Sequence, residues 1–297
     1  KKKKKKILKR KGIILAGGSG TRLSPLTAII SKQLLPVYDK PMIYYPISTL
    51  MLAEIRDILI ISDSGSMAMY KEMLGDGSRF GIRISYDTQA EPRGIAEALI
   101  IGEDFIGEDS FALILGDNLI YGDSLGEKIS SCFEQLDSAT IFGYKVSDPY
   151  HFGVIELGAD NNVIGLEEKP LKPKSNYIAI GLYVYPAGAI KIAKNLELSP
   201  RNELEITDVN LNFLSSSKLD VTLLGRGYAW FDMGTHSSLL DAANFIKMIE
   251  DRTSTNIACL EEIAYESGWI TKIQLSADLE GAGQSEYYSY IRKTCLA

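Results

Sequence analysis

The chain has 297 residues, 45% hydrophobic and 24% charged, with a formal net charge of −6. That balance suits a globular protein of one large or two small domains. Six leading lysines supply +6, so the rest carries −12, which argues against nonspecific nucleic-acid binding but leaves nucleotides open. No apolar run approaches the ~20 residues of a membrane span. No signal-peptide pattern follows the lysines, so a cytoplasmic location is expected, with no membrane partner. Residues 1–10 read as a disordered or tag-like terminus. Cys132, Cys259 and Cys295 are widely spaced and form no C-x-x-C, which predicts reduced thiols rather than a disulfide or zinc framework.

In chain order, apolar runs predict strands at 12–16, 57–62, 82–86, 111–115 and 139–143. Helices are expected near 43–54, 66–74, 94–102 and 124–136. This alternation predicts an α/β fold with a doubly wound, mostly parallel sheet, whose ligands bind beyond the carboxyl ends of the strands. From 150 the pattern changes to longer strands at 151–157, 162–169 and 177–186, read as an inserted β region. Helices at 187–195 and 203–217 and a strand at 219–225 come next. After Asp232 the chain reads as helical throughout, at 235–250, 257–267, 271–280 and 284–294. No hexapeptide repeat marks a β-helix domain. The expected division is an α/β domain over 11–235, with halves at about 11–145 and 146–235, and a helical region over 236–297 suited to subunit contact.

The most informative stretch is the first strand with the glycine-rich loop after it. Leu15 and Ala16 lead into Gly17-Gly18-Ser19-Gly20-Thr21-Arg22. Glycines permit positive φ and close ligand approach, and free N–H groups in such a turn form an anion nest. Arg22 adds a planar cation suited to phosphate. A P-loop would need Gly-Lys-Ser/Thr, but Thr21-Arg22 come after Gly20. A dinucleotide fingerprint would need a glycine where Leu23 stands. The pattern that fits is G-G-x-G-T-R-L-x-P, then Lys32-Gln33-Leu34-Leu35-Pro36, a nucleotidyltransferase signature.

At these residues the chain resembles the glucose-1-phosphate thymidylyltransferase (dTDP-glucose pyrophosphorylase) family of sugar nucleotidyltransferases. The likeness runs from about residue 10 to about 270, through SKQLLPVYDKPMIYYP, LGDN, LEEKPLKPKSNY, ELEITDVN and the GRGYAW-FD-GTH segment. It implies a Rossmann-like nucleotidyltransferase core with a sugar-binding β region. The implied reaction joins dTTP and α-D-glucose 1-phosphate into dTDP-glucose and pyrophosphate with Mg²⁺, for deoxysugar biosynthesis.

Read as residues alone, Asp117 and Asp232 each come after an apolar strand and could hold a cation or cap a turn or helix. The resemblance makes both metal ligands. It places Lys32 on the nucleotide phosphates, Arg22 on the departing pyrophosphate, and Lys169 and Arg201 on the sugar phosphate. Gln33, Gln89 and Gly94 would frame the thymine. Gly153, Glu168, Ala179 and Glu203 would hold the glucose. A homotetramer is implied too, with an allosteric nucleotide site near Tyr121, Gly122, Gly225, Arg226 and Glu262. His151-Phe152, Ala179-Ile180-Gly181 and Phe231-Asp232-Met233-Gly234 depart from the family pattern without removing a charged group. The alternatives are a transferase for another base, such as a uridylyltransferase, and a non-catalytic nucleotide-sensing module of the same fold.

Overall fold

Apolar runs of four or five residues, rich in Ile and Leu, bury both faces and so become interior strands. The computed structural model describes residues 9–18, 20–135 and 137–297. Among these, the strands are β1 (Arg10–Leu15), β2 (Pro36–Val37), β3 (Lys40–Pro41), β4 (Asp57–Ser62), β5 (Arg83–Thr88), β6 (Ser110–Leu115), β7 (Leu119–Gly122), β8 (Ala139–Lys145), β9 (Gly153–Leu157), β10 (Val163–Glu168), β11 (Tyr177–Tyr185), β12 (Leu219–Leu224) and β13 (Tyr228–Phe231). The helices are α1 (Tyr44–Leu52), α2 (Met67–Leu74), α3 (Glu97–Ile101), α4 (Glu103–Ile106), α5 (Leu125–Cys132), α6 (Gly188–Lys194), α7 (Ile206–Ser215), α8 (His236–Thr253), α9 (Leu260–Glu266), α10 (Lys272–Asp278) and α11 (Glu286–Cys295).

The principal sheet has nine strands in the order β10-β9-β11-β6-β1-β4-β5, with β8 pairing β11 and β12 off that path. It is the expected mostly parallel α/β sheet carrying a later antiparallel region. β4 pairs β5 and β12 pairs β8 in parallel. β9, β10 and β11 pair antiparallel. β10 buries Val163 and exposes Ile164 and Glu167, and its register with β9 shifts between Val163 and Gly165.

The chain forms two compact units, each assembled from three stretches. One holds the segment ending at Ile13, Arg93–Leu113 and Lys128–Gly225. In it α7 packs on β10 and α3 on α6. The other holds Ile14–Pro92, Ile114–Glu127 and Arg226–Ala297, including all of α8–α11. Thr235 caps α8 through a reciprocal pair with Ser238, and Thr271 caps α10 likewise with Gln274.

Most elements lie within a few residues of where the apolar pattern places them. The helix expected over 94–102 is shorter, α3, and α4 begins directly after Gly102. A Cβ on Gly102 would meet Ile13 Cδ1 at 2.7 Å, so close packing of this unit explains the glycine. β1 starts at Arg10, inside the stretch expected to be unstructured. Residues 1–8, Ser19 and Leu136, the end of the helix expected over 124–136, lie outside the described residues. The short pairs β2–β3 and β7–β13 carry no periodic signal and are additions. All three cysteines are free and buried.

Candidate active site

In the second unit, β1 runs out at Leu15, whose carbonyl accepts Gly116 N–H at 2.9 Å, while Ala16 N–H donates to Ile61 at 2.7 Å. The chain then turns through Gly17 and Gly18, where φ is +103°, and Gly20, where φ is +57°. Those left-handed values suit glycine. Thr27 Oγ1 donates to Gly20 O at 2.8 Å. Thr21–Leu23 form one 3₁₀ turn that buries Leu23 and leaves Arg22 outward. Arg22 Nη2 stands 2.8 Å from where a Cβ on Gly234 would be. Its guanidinium therefore lies over the backbone just after Asp232.

Lys32-Gln33-Leu34 form another 3₁₀ turn. Gln33 is 1% exposed, and its amide is committed to protein: Nε2 donates to Gly17 O at 3.2 Å and Oε1 accepts Ser31 Oγ at 2.7 Å. A buried amide bonded at both ends holds the glycine turn against the Lys32 turn. Gln89 Oε1 lies 3.0 Å from a hypothetical Cβ on Gly17, so a side chain there would push Gln89 aside. Gly17, Gly18, Lys32, Asp63, Ser66 and Gln89 line a cleft of about 430 Å³ in this unit, walled also by the 27–31 stretch. That volume is in the range of small-molecule sites.

Lys32 Nζ forms an ion pair with Asp117 Oδ2. Asn118 Nδ2 donates to Asp117 Oδ1 at 3.0 Å, and Trp230 Nε1 donates to Asn118 Oδ1 at 2.7 Å. β13 pairs β7 antiparallel with Phe231 opposite Leu119, so Asp232 continues the strand toward Asn118 and Asp117. Met233 comes next at φ +26°, uncommon for a non-glycine residue. Its side chain is fully buried with Val37, Met42, Tyr45, Leu119 and Ile246, which holds that backbone in place. Among the described residues no group of three or more His, Cys, Asp or Glu could hold a metal. Two carboxylates still suit Mg²⁺, a hard ion commonly held by one or two carboxylates plus substrate phosphates and water.

The expected regulatory residues are dispersed in their contacts. In the second unit, Tyr121 packs edge-on against Phe245 at 5.5 Å, and a Cβ on Gly122 would strike the Tyr228 ring at 2.1 Å. Glu262 is buried and accepts Tyr290 Oη–H at 2.6 Å, and burial raises its pKa. Arg226 is exposed in the same unit, while Gly225 ends a stretch of the first unit.

In the first unit, three strands set one row: Gly153 lies opposite Glu168 on β10 and opposite Ala179 on β11. A Cβ on Gly153 would come within 3.2 Å of Thr207 Oγ1 and 3.3 Å of Glu168 Oε2. Glu168 Oε2 accepts Thr207 Oγ1–H at 2.6 Å, and Glu168 Oε1 accepts from Arg201 Nη2 at 3.3 Å. Arg201 also donates to Glu205 at 2.7 and 3.2 Å and lies 3.4 Å from Glu203. Burial alone would lower the Arg201 pKa, but the bond and charge of Glu205 outweigh it and the net shift is upward. Lys169 takes φ +44°, with Nζ 3.9 Å from Glu168 Oε1. Glu168, Lys169, Arg201 and Glu203 are thus drawn together around Gly153. Thr207 and Glu205 join them, and only a tertiary contact reveals their part. Gly94 lies in this unit at φ +103°, and a Cβ there would approach Leu204 O to 2.4 Å. The glycine is thus required by the Leu204 backbone.

A glycine turn after the first strand, a lysine paired with an acid after a buried strand, and a second acid after β13 define the class. The chain belongs to the nucleotidyl transferase family, whose model matches residues 11–248. Within it, the likeness to glucose-1-phosphate thymidylyltransferases covers nearly the whole chain. Relatives of that name from Neisseria meningitidis and Xanthomonas campestris are each 50% identical, over 95% and 98% of this chain and 98% of theirs. One from Mycobacterium tuberculosis is 49% identical over 95% of this chain and 97% of its own. A Bacillus anthracis structure described as a glucose-1-phosphate thymidylyltransferase, in complex with sucrose, superposes with TM-score 0.75 at 39% identity, covering 80% of this chain and 94% of that one. A UDP-glucose pyrophosphorylase complexed with UDP-glucose shares the fold, with TM-score 0.70 at 23% identity, covering 82% of this chain and 100% of that one.

Proposed function

We infer that the protein transfers a thymidylyl group from dTTP to α-D-glucose 1-phosphate, giving dTDP-glucose and pyrophosphate. The observation that carries this reading is Lys32 paired with Asp117 at the glycine turn, within a chain half identical to enzymes of that name. The obstacle in such a reaction is the mutual repulsion of two polyanions. Residues of the second unit address the nucleotide. The N–H groups of the glycine turn and the Lys32 ammonium bind phosphate oxygens, and Gln89 offers both a donor and an acceptor to a pyrimidine edge. Arg22 takes the charge that grows on the leaving pyrophosphate. Asp117 and Asp232 would hold Mg²⁺, which supplies charge neutralisation at the phosphates.

Residues of the first unit address the sugar phosphate. Lys169 and Arg201 bind its phosphate, while Glu168 and Glu203 accept from sugar hydroxyls. The backbone at Gly153 admits the ring where a side chain would meet Thr207 and Glu168. A sugar phosphate has a second pKa near ~6 and is largely dianionic at neutral pH, so its oxygen attacks the α-phosphorus in line without a general base. Catalysis here is positioning and fixed charge.

Pyrophosphate release from dTTP, UTP, CTP and ATP, each offered glucose, mannose and galactose 1-phosphates with and without Mg²⁺, tests the reading. Release should require both substrates and the cation and be fastest with dTTP and glucose 1-phosphate. Fastest release with UTP would reassign the base, and no release from any pair would leave a nucleotide-sensing module.

A further inference from the structure

We propose that Asn118 and Trp230 are positioning residues that fix the orientation of the Asp117 carboxylate. The proposal rests on the reading of Asp117 as a cation ligand. An indole N–H can only donate, so the Asn118 oxygen must face Trp230, and they meet at 2.7 Å. The Asn118 NH₂ must then point the other way, and it donates to Asp117 Oδ1 at 3.0 Å. The indole thereby decides which way the amide is turned. With the amide reversed, an oxygen would face the carboxylate, and the contact would become repulsive.

The chain of bonds is sheltered. Asn118 is 3% exposed, and the pairing of Trp230 with Ile120 and of Phe231 with Leu119 holds the indole alongside. One carboxylate oxygen of Asp117 is tied down this way, which leaves the other, Oδ2, as the face that meets Lys32. The strand carrying Trp230 delivers Asp232 two residues later. β13 supplies the N–H that orients the first acid, and the residue directly after it is the second acid. Groups that orient a metal-binding carboxylate commonly change metal affinity by 10- to 100-fold when removed.

The test is a Mn²⁺ titration of the full chain monitored by electron paramagnetic resonance, with thermal midpoints recorded alongside. Trp230→Phe keeps an aromatic ring on the strand, smaller than the indole, and removes the N–H. It should weaken Mn²⁺ binding about tenfold with an unchanged midpoint, and lower kcat while leaving the KM for dTTP alone. Asn118→Asp keeps an acceptor for Trp230 but sets a charge against Asp117, and should weaken Mn²⁺ binding further. The double variant should be no weaker than Asn118→Asp, since both act through one path. Wild-type Mn²⁺ affinity in Trp230→Phe and Asn118→Asp, with binding abolished in Asp117→Asn, would overturn the proposal and spare the metal reading of Asp117. Wild-type affinity in Asp117→Asn would overturn that reading, and the proposal with it.

Discussion

Lys40→Met should destabilise the protein by an amount that depends on pH. The Lys40 side chain is 2% exposed and that of Glu250 7%, with Nζ 3.1 Å from Oε1. Asp39 lies 2.5 Å away and is more open, and the Tyr45 and Tyr287 rings flank the ammonium at 5.6 and 5.8 Å. Methionine preserves the stem but removes the charge, leaving Glu250 Oε1 with the Ile257 N–H at 2.7 Å. Breaking a buried pair from one side costs roughly 3–5 kcal/mol. The remaining N–H places this case at the lower end, about 3 kcal/mol at pH 8.

Burial raises the Glu250 pKa in the folded state, with Lys40 pulling the other way. A carboxyl raised above its unfolded value of about 4.3 favours the fold when neutral, at low pH, and loses that contribution as pH rises through the folded value. Without Lys40 the folded value rises further. The deficit should therefore be largest at pH 8 and shrink toward pH 5, by about 1.4 kcal/mol per unit once the group protonates. Urea unfolding of both proteins at pH 8 and pH 5.5 measures this. A deficit below about 1 kcal/mol at pH 8, or one equal at both pH values, would refute the assignment of Lys40 as the partner that keeps Glu250 charged.

Gly94→Ala should destabilise by more than about 2 kcal/mol, because the residue sits at φ +103° with its would-be Cβ 2.4 Å from Leu204 O. A thermal midpoint equal to wild type would show that the segment shifts freely. Thr207→Val removes the hydroxyl that donates to Glu168 at 2.6 Å. It should raise the KM for glucose 1-phosphate about tenfold, as expected for one hydrogen bond to a charged group, with the KM for dTTP unchanged. Equal changes in both constants would point to a general structural defect.

Much of the architecture was legible because its signals are local. Ile58–Ile61 and Phe111–Leu115 are apolar runs too short for helices, and they form β4 and β6. The glycine turn was legible too, since Gly18 and Gly20 take the left-handed backbone that their residue type suggests. The features that were not legible depend on partners remote in the chain. Nothing near Leu119–Gly122 announces that Tyr228–Phe231 will pair with it. The same holds for Thr207 on Glu168 and for Trp230 on Asn118, where hydroxyl and indole gain meaning only from tertiary contact. Gly94 is instructive: the glycine is evident in the sequence, but the reason the structure supplies is the Leu204 backbone.

The central claim is that the bond broken is the one between the α-phosphorus of dTTP and the oxygen bridging it to the β-phosphorus, and that the thymidylyl group passes to the sugar phosphate. Incubation of the protein with glucose 1-phosphate and Mg²⁺, using dTTP labelled with ³²P at either the α or the γ position, tests it in one chromatogram. The α label should appear in dTDP-glucose and the γ label in pyrophosphate. A γ label on the sugar, or an α label in free dTMP, would contradict the claim and define a kinase or a hydrolase instead.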